Sequence, residues 1–127
     1  MKKLMAFVAL LVAVQSYGAG CVPDAPGNVQ ASWYACPPGQ VCIQSERVLV
    51  TWRDVARNEK GYVVERSVFD GLTWWPWELV TPNGLPKNST QAVDEQPAGL
   101  QTVYRVWAVG TCGSSRATVV FVLGGVQ

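Results

Sequence analysis

The chain has 127 residues, the length of one domain, and its 49% hydrophobic and 15% charged residues exclude an intrinsically disordered protein. Its net charge of +1 argues against a nucleic-acid partner, and the absence of histidine excludes His-based catalytic triads and His-ligated metal sites.

Residues 1–20 have the pattern of a secretory signal peptide. Lys2 and Lys3 form a positively charged start, an apolar run follows from Leu4 to Val14, and small residues occupy positions 18–20. The apolar run is too short for a transmembrane helix, which needs about 20 residues. We therefore predict a signal peptide over 1–20, a mature domain over 21–127 without a transmembrane segment, and a secreted, periplasmic or extracellular location.

Cys21 allows a second interpretation of the same segment. Residues Gly18-Ala19-Gly20-Cys21 resemble the cleavage signal of bacterial lipoproteins, although that signal usually has Leu or a similar residue where this chain has Gly18. An envelope protein anchored by a lipid on Cys21 is therefore an alternative. Loss of Lys2 and Lys3 would leave a nearly neutral chain with no electrostatic attraction to a membrane surface.

The four cysteines fit two disulfides in an exported protein, with three possible pairings. Cys36 and Cys42 flank a Pro-Pro-Gly turn and are expected to staple a hairpin, which leaves Cys21 to pair with Cys112. A zinc site is disfavoured because the chain has neither a CxxC pair nor histidine. We expect no metal and no cofactor.

The mature chain reads as short strands separated by turns, with no long helical period. In the first strand Val29, Ala31, Trp33 and Ala35 alternate with polar residues, and in the second Val48, Val50 and Trp52 share one face. A charged loop over 53–60 precedes a third strand over 61–68, which ends at an Asp70-Gly71 turn.

A fourth strand is predicted over 73–81, with Pro76 placing it at a sheet edge or bulge. Further strands are predicted over 89–93, 102–109 and 117–123, which makes seven in total and indicates an all-β, immunoglobulin-like sandwich. Tyr104 follows a Pro-Ala-Gly corner and is predicted to form a tyrosine corner, with its hydroxyl bonded to upstream backbone.

Five segments of the chain, in order, resemble fibronectin type III domains. They are Ala25–Ala31, Leu49–Asp54, Asn58–Ser67, Thr102–Val109 and Gly113–Ser115. The resemblance covers roughly residues 23–123. It implies a sandwich of about seven antiparallel strands with these residues pointing inward: Trp52, Tyr62, Val64, Tyr104, Val106 and Ala108. It transfers no catalytic residue, and it places Cys21 and Cys112 at the same end of the sandwich.

The chain departs from the family pattern at three places. The Cys36–Cys42 insertion is extra, three tryptophans surround Pro76 where one aromatic is usual, and Ala98 replaces a Leu that often precedes the corner tyrosine, so Leu100 is a candidate to support the corner instead. No Arg-Gly-Asp sequence occurs, so integrin binding is not implied.

The aromatic residues supply the candidate binding face. The resemblance places the third, fourth, sixth and seventh strands in one sheet, and alternation along the sixth strand points Trp107 away from the core. The candidate face comprises Trp107, Arg105, Trp74, Trp75 and Trp77. Such rings can stack on sugars or anchor a protein. The alternative is that they only shield the sheet, with Arg66 or Arg105 stacked on them.

Nothing in the sequence indicates an enzyme. The nine carboxylates are scattered one per turn or strand, which predicts solvated surface charge rather than a catalytic pair. We therefore expect a secreted, non-enzymatic binding or adhesion module that recognises an extracellular protein or carbohydrate. The alternatives are a small disulfide-stapled enzyme inhibitor, which the Pro-rich loop would suit, and the lipid-anchored envelope protein.

Overall fold

The structure, a computed structural model, describes residues 21–35, 38–41, 46–95, 97–98 and 100–123. The predicted signal peptide and the predicted Cys36–Cys42 staple lie outside the described residues. Within them the chain forms nine strands: β1 (Gly27–Ala35), β2 (Glu46–Arg53), β3 (Glu59–Phe69), β4 (Glu78–Leu79), β5 (Leu85–Pro86), β6 (Gln91–Asp94), β7 (Gln101–Gly110), β8 (Gly113–Ser114) and β9 (Thr118–Val122).

The strands form two antiparallel sheets, which confirms the predicted β-sandwich. One sheet has the order β1-β2-β6. The other has the order β4-β3-β7-β8, with β9 also paired to β7 and β5 paired to β3. All seven predicted strands are present, and the two-residue strands β5 and β8 are additional. The predicted fourth strand keeps its place at the sheet edge, as β4.

The core lies between the sheets, on the faces that the alternation predicts. Trp52 of β2 is buried and packs at 5.5 Å, between ring centroids, from Tyr62 of β3. Partly buried side chains of β1, including Val29 and Trp33, close the same core. Its buried members include Val48, Val50, Trp52, Tyr62, Val64, Tyr104, Val106 and Ala108, so every residue that the resemblance placed inward is inward.

The predicted fourth strand is much shorter than expected. Of residues 73–81 only Glu78 and Leu79 form strand, and Trp74 contributes a single isolated bridge to Phe69. Pro76 lacks the N–H that a ladder requires, and the chain around it leaves the strand path. The tryptophans therefore sit on a loop that crosses the sheet and not on a regular strand.

The tyrosine corner differs from the prediction. The buried Tyr104 hydroxyl donates to the side-chain Oδ2 of Asp94 at 2.7 Å, and not to upstream backbone. Leu100 is exposed and does not support the corner. Burial first, and then the charge of Asp94, raise the pKa of Tyr104 well above its usual value, so the phenol remains a donor.

Asp94 also corrects the expectation that all carboxylates are solvated. Its side chain is buried and receives Arg66 Nη1 at 2.5 Å, while Arg66 Nε donates to Glu78 at 2.7 Å. Burial opposes the charge of Arg66, but the bonds to Asp94 and Glu78 outweigh it and raise the pKa of the guanidinium. Glu59 is buried as well and accepts the Asn88 backbone N–H at 3.0 Å. These carboxylates are structural.

Tyr104→Phe should lower the free energy of unfolding by about 1.5–3 kcal/mol, because it removes a donor from a buried, charged acceptor. Denaturant unfolding measures the change. Tyr62→Phe is the matched control: its hydroxyl also donates to a carboxylate, that of Asp54, but Asp54 is only half-buried and water can replace the donor. Equal losses in the two variants would contradict the structural role given to the Asp94 bond.

A disulfide joins Cys21 to Cys112, as predicted, with the Cα atoms 5.6 Å apart and 91 residues between them in sequence. The segment after Cys21 packs against the end of β7, where a Cβ on Gly110 would come within 2.7 Å of Pro23 Cδ. A sulfur bonded to Cys112 cannot also carry a lipid, so the disulfide argues against the lipid-anchored alternative.

Among the described residues, no helix has the length and hydrophobicity to cross a bilayer.

Candidate functional site

The outer face of the larger sheet is built by strand alternation. On β7, Tyr104, Val106 and Ala108 are fully buried, while Arg105 and Trp107 between them point to the other side and are half-buried. The neighbouring strands β3 and β9 follow the same register, so their odd-numbered side chains also point outward. We call Arg105 and Trp107, together with the exposed tryptophans of the neighbouring loop, Trp74, Trp75 and Trp77, the aromatic face.

Arg105 organises the centre of the aromatic face. Its Cζ lies 3.9 Å from the ring centroid of Trp77 and 5.4 Å from that of Trp107. Its Nε and Nη2 donate to Glu65 Oε1 at 2.8 and 2.5 Å, from the register partner on β3. Glu65 thus neutralises the guanidinium and fixes it beside both rings, which holds the rings in one arrangement. Arg66, the other cation considered for such stacking, faces Asp94 instead.

Hydrogen bonds fix the loop that carries the other two tryptophans. Trp75 N donates to Val68 O at 2.7 Å, and Ser67 Oγ donates to Trp75 O at 2.6 Å. Asp70 accepts the backbone N–H groups of Leu72 and Thr73 and, at 3.2 Å, the Trp75 indole N–H. The backbone bonds from Thr73 and Leu72, followed by the indole, lower the pKa of the Asp70 carboxyl. The loop is therefore anchored at both its backbone and its side chains.

This loop covers part of the sheet. Ser67 and Val103 are register partners on the outward side of β3 and β7, yet they are 4% and 8% exposed. Trp74 lies over this region, with its ring 5.1 Å from that of Phe69 and 6.3 Å from that of Phe121. Shielding of the sheet is thus one role of the loop.

The three tryptophan rings of the loop remain partly exposed to solvent although the loop covers the sheet. Trp74, Trp75 and Trp77 remain 45%, 42% and 37% exposed, and Val119 and Phe121 of β9 extend the apolar surface next to them. Large contiguous apolar patches on a protein surface commonly mark interaction sites. The aromatic face is therefore a candidate interaction surface as well as a cover.

A groove of about 240 Å³ opens beside Trp107. Its other walls are Arg105, Ser114, Ser115 and Ala117. The Ser115 hydroxyl accepts the Ala108 N–H and donates to Arg116 O, both at 2.9 Å, and so holds the turn after β8 against β7. Ser114 and Ala117 keep the groove open because their side chains are small.

A second cavity, of about 280 Å³, lies between the edges formed by β4 and β6. Arg66, Asp94 and Glu95 line it together with Leu79, Val80, Pro82 and Val93. Its charged groups are already paired, Arg66 with Asp94 and Glu95 with Arg47. In the described part of the chain, no three Cys, Asp or Glu side chains come together as a metal site.

The structure brings Arg105 beside the rings of Trp77 and Trp107, and it places Trp74 against Phe69 and Phe121 of the same sheet. The Trp75 indole is bonded to Asp70 instead. Sequence reasoning missed Glu65 and the groove residues Ser114, Ser115 and Ala117. The sequence does contain a signal for the Arg105 partner, because alternation along β3 points Glu65 outward on the neighbouring strand. The groove had none, since it depends on how the β8 turn folds back.

The comparisons with solved structures agree with this architecture. An Fn3-like protein from Clostridium thermocellum superposes with a TM-score of 0.54 at 20% identity, covering 83% of this chain and 97% of that one. A myokine structure gives 0.52 at 16% identity over 80% and 97% of the two chains. The third fibronectin III domain of the human KIAA0343 protein gives 0.55 at 14% identity over 81% and 83%.

No protein-family model matches the chain, and neither does any curated protein sequence. At these identities the structural likeness establishes the fold alone. The chain has a fibronectin type III-like fold, as the sequence resemblance predicted.

Proposed function

We propose that this protein is an exported, non-enzymatic module that binds an extracellular protein or glycan through the aromatic face. The observation that carries the proposal is the position of Arg105 beside the rings of Trp77 and Trp107, where Glu65 holds its guanidinium and Trp77 remains exposed to solvent. Rings fixed before binding lose little conformational entropy when a ligand docks, so more of the contact energy appears as affinity.

Export of the domain rests on the signal-peptide pattern of residues 1–20 and on the disulfide chemistry. A long-range disulfide such as Cys21–Cys112 forms and persists in oxidising compartments. Both features favour a periplasmic or extracellular site of action. They also favour a ligand that is available there, such as a surface protein or a structural polysaccharide.

Trp107→Ala should weaken ligand binding by more than tenfold and leave the thermal unfolding temperature nearly unchanged. The ring lies outside the core, so it contributes little to folding, but a contact ring that is desolvated in a complex contributes about 2 kcal/mol or more. The measurement pairs a thermal melt with binding of the immobilised domain to purified extracellular proteins and cell-wall polysaccharides. Trp74→Ala tests the far end of the face in the same assay.

Val41→Ala is the control for this experiment. Val41 is fully exposed in the loop between β1 and β2, which is the loop that the inhibitor alternative would use. Binding that survives Trp107→Ala and Trp74→Ala but is lost in Val41→Ala would place the ligand at the loop and overturn the proposal. Unfolding of Trp107→Ala at ordinary temperature would show that the ring is part of the core.

A further inference from the structure

The groove beside Trp107 differs chemically from the rest of the aromatic face. Its walls combine one indole ring with two hydroxyls, a guanidinium and the small side chain of Ala117. Ligand pockets for drug-sized molecules measure about 300–1,000 Å³, so a groove of about 240 Å³ suits a smaller unit. Its rim carries a guanidinium and two hydroxyls, which a purely apolar side chain would leave without new hydrogen bonds.

Two hydrogen-bonding groups in the groove are still available. The bonds from Arg105 to Glu65 use Nε and Nη2, and leave Nη1 as a donor in the described part of the structure. Ser114 is exposed, and its hydroxyl can both donate to and accept from a ligand. A ligand with hydroxyls around an apolar ring face would use both groups and the indole together.

The charge of the groove selects among such ligands. Glu65 neutralises the guanidinium of Arg105, at 2.5 Å, so this pair brings hydrogen-bond donors to the groove without a net positive charge of its own. A phosphate or carboxylate ligand would gain little there, and it would meet the Glu65 carboxylate at close range. A neutral ligand carries no such penalty.

We infer that the ligand is a neutral carbohydrate, with one sugar unit seated in the groove against Trp107 and the chain continuing along Arg105 and Trp77. This inference rests on the proposed function and names its ligand class. A sugar ring has C–H groups on its faces and hydroxyls at its rim, which matches an indole wall bordered by Ser114 and Arg105 Nη1. The neutral stack of Trp77 and Arg105 gives the next sugar a flat surface.

The test titrates the whole domain with short soluble fragments of glucan, xylan, mannan and chitin, and with polyuronate and sulfated fragments for comparison. Binding is monitored through the NMR signal of the Trp107 indole N–H. At least one neutral fragment should give a saturable shift that added salt does not reduce. Ala117→Leu fills the groove while retaining the Trp107 and Arg105 side chains, and it should weaken that binding at least tenfold. Ala35→Leu, an equal enlargement at an exposed position of β1 in the other sheet, should bind like wild type.

Three results would overturn the inference: no shift with any neutral fragment, a shift only with polyuronate or sulfated fragments that salt abolishes, or wild-type affinity in Ala117→Leu. The proposed function can be judged separately. Trp107-dependent binding of a purified protein with no response to sugars would retain the face as a binding site and reject carbohydrate as its ligand. Wild-type binding of both proteins and sugars in Trp107→Ala and in Trp74→Ala would reject both proposals.

Discussion

Trp52→Ala should lower the free energy of unfolding by about 3–5 kcal/mol, the usual cost of removing a buried indole. Trp52 is 4% exposed and lies at the centre of the core, between β2 and the Tyr62 ring of β3. Its indole N–H has no hydrogen-bond partner among the described residues, so the loss is one of packing. Chemical and thermal unfolding measure it, with about 4–8 °C of melting temperature expected per kcal/mol in a domain of this size.

Trp107→Ala is the matched control, since it removes the same side chain from the outer face of the larger sheet instead of from the core. We expect a small effect there, because Trp107 is half-buried and outside the core. A decrease of only a few degrees in the melting temperature of Trp52→Ala would mean that the side of β2 assigned to the core is wrong. Similar large losses in both variants would mean that the two faces are not distinguished as the structure has them.

The strand phase is what the sequence predicted best. Alternation is a local property, and a shift of one residue would move Val48, Val50 and Trp52 from the core to solvent. The hydrophobic pattern therefore determined which side of each long strand is buried. For the same reason the outward direction of Trp107, between the buried Val106 and Ala108, follows from the alternation of residues along β7.

Side-chain interactions between different strands were harder to predict from the sequence. The pairing of Tyr104 with Asp94 joins β7 to β6 across the sandwich, and nothing in the local sequence distinguishes Asp94 from a surface carboxylate. Its environment becomes visible only when Arg66, from β3, is brought beside it. Buried polar groups depend on such long-range partners, so local composition underestimates them.

The tryptophan loop shows a different limit. The pattern of Trp74, Trp75 and Trp77 is compatible with a strand, and Pro76 alone signalled an irregularity. What decides the conformation is the anchoring of Trp75 backbone to Val68 and Ser67, together with the Asp70 turn. Because these bonds replace ladder pairing, the loop can present all three rings partly to solvent, which a regular strand with alternating side chains could not do.

The Cys21–Cys112 disulfide connects the start of the domain to the turn between β7 and β8, and it closes almost the whole chain into one loop. A cross-link of this kind acts mainly on the unfolded state, because it removes conformations that an open chain could explore. The effect grows with the logarithm of loop length. The predicted Cys36–Cys42 staple closes a far shorter loop, so the two bridges should differ in their effect.

The double variant Cys21→Ala/Cys112→Ala should lose about 4.5 kcal/mol of unfolding free energy on the loop-entropy scale, against about 2.5 kcal/mol for Cys36→Ala/Cys42→Ala. A small domain has about 5–15 kcal/mol in total, so the first variant should be close to the limit of folding at ordinary temperature. Changing both cysteines of a pair avoids a free thiol that could form a new bridge. Peptide mapping without reduction should first find Cys21 joined to Cys112 in the wild-type protein. A lipid on Cys21, a bridge from Cys112 to Cys36, or equal stability of the two double variants would contradict this account.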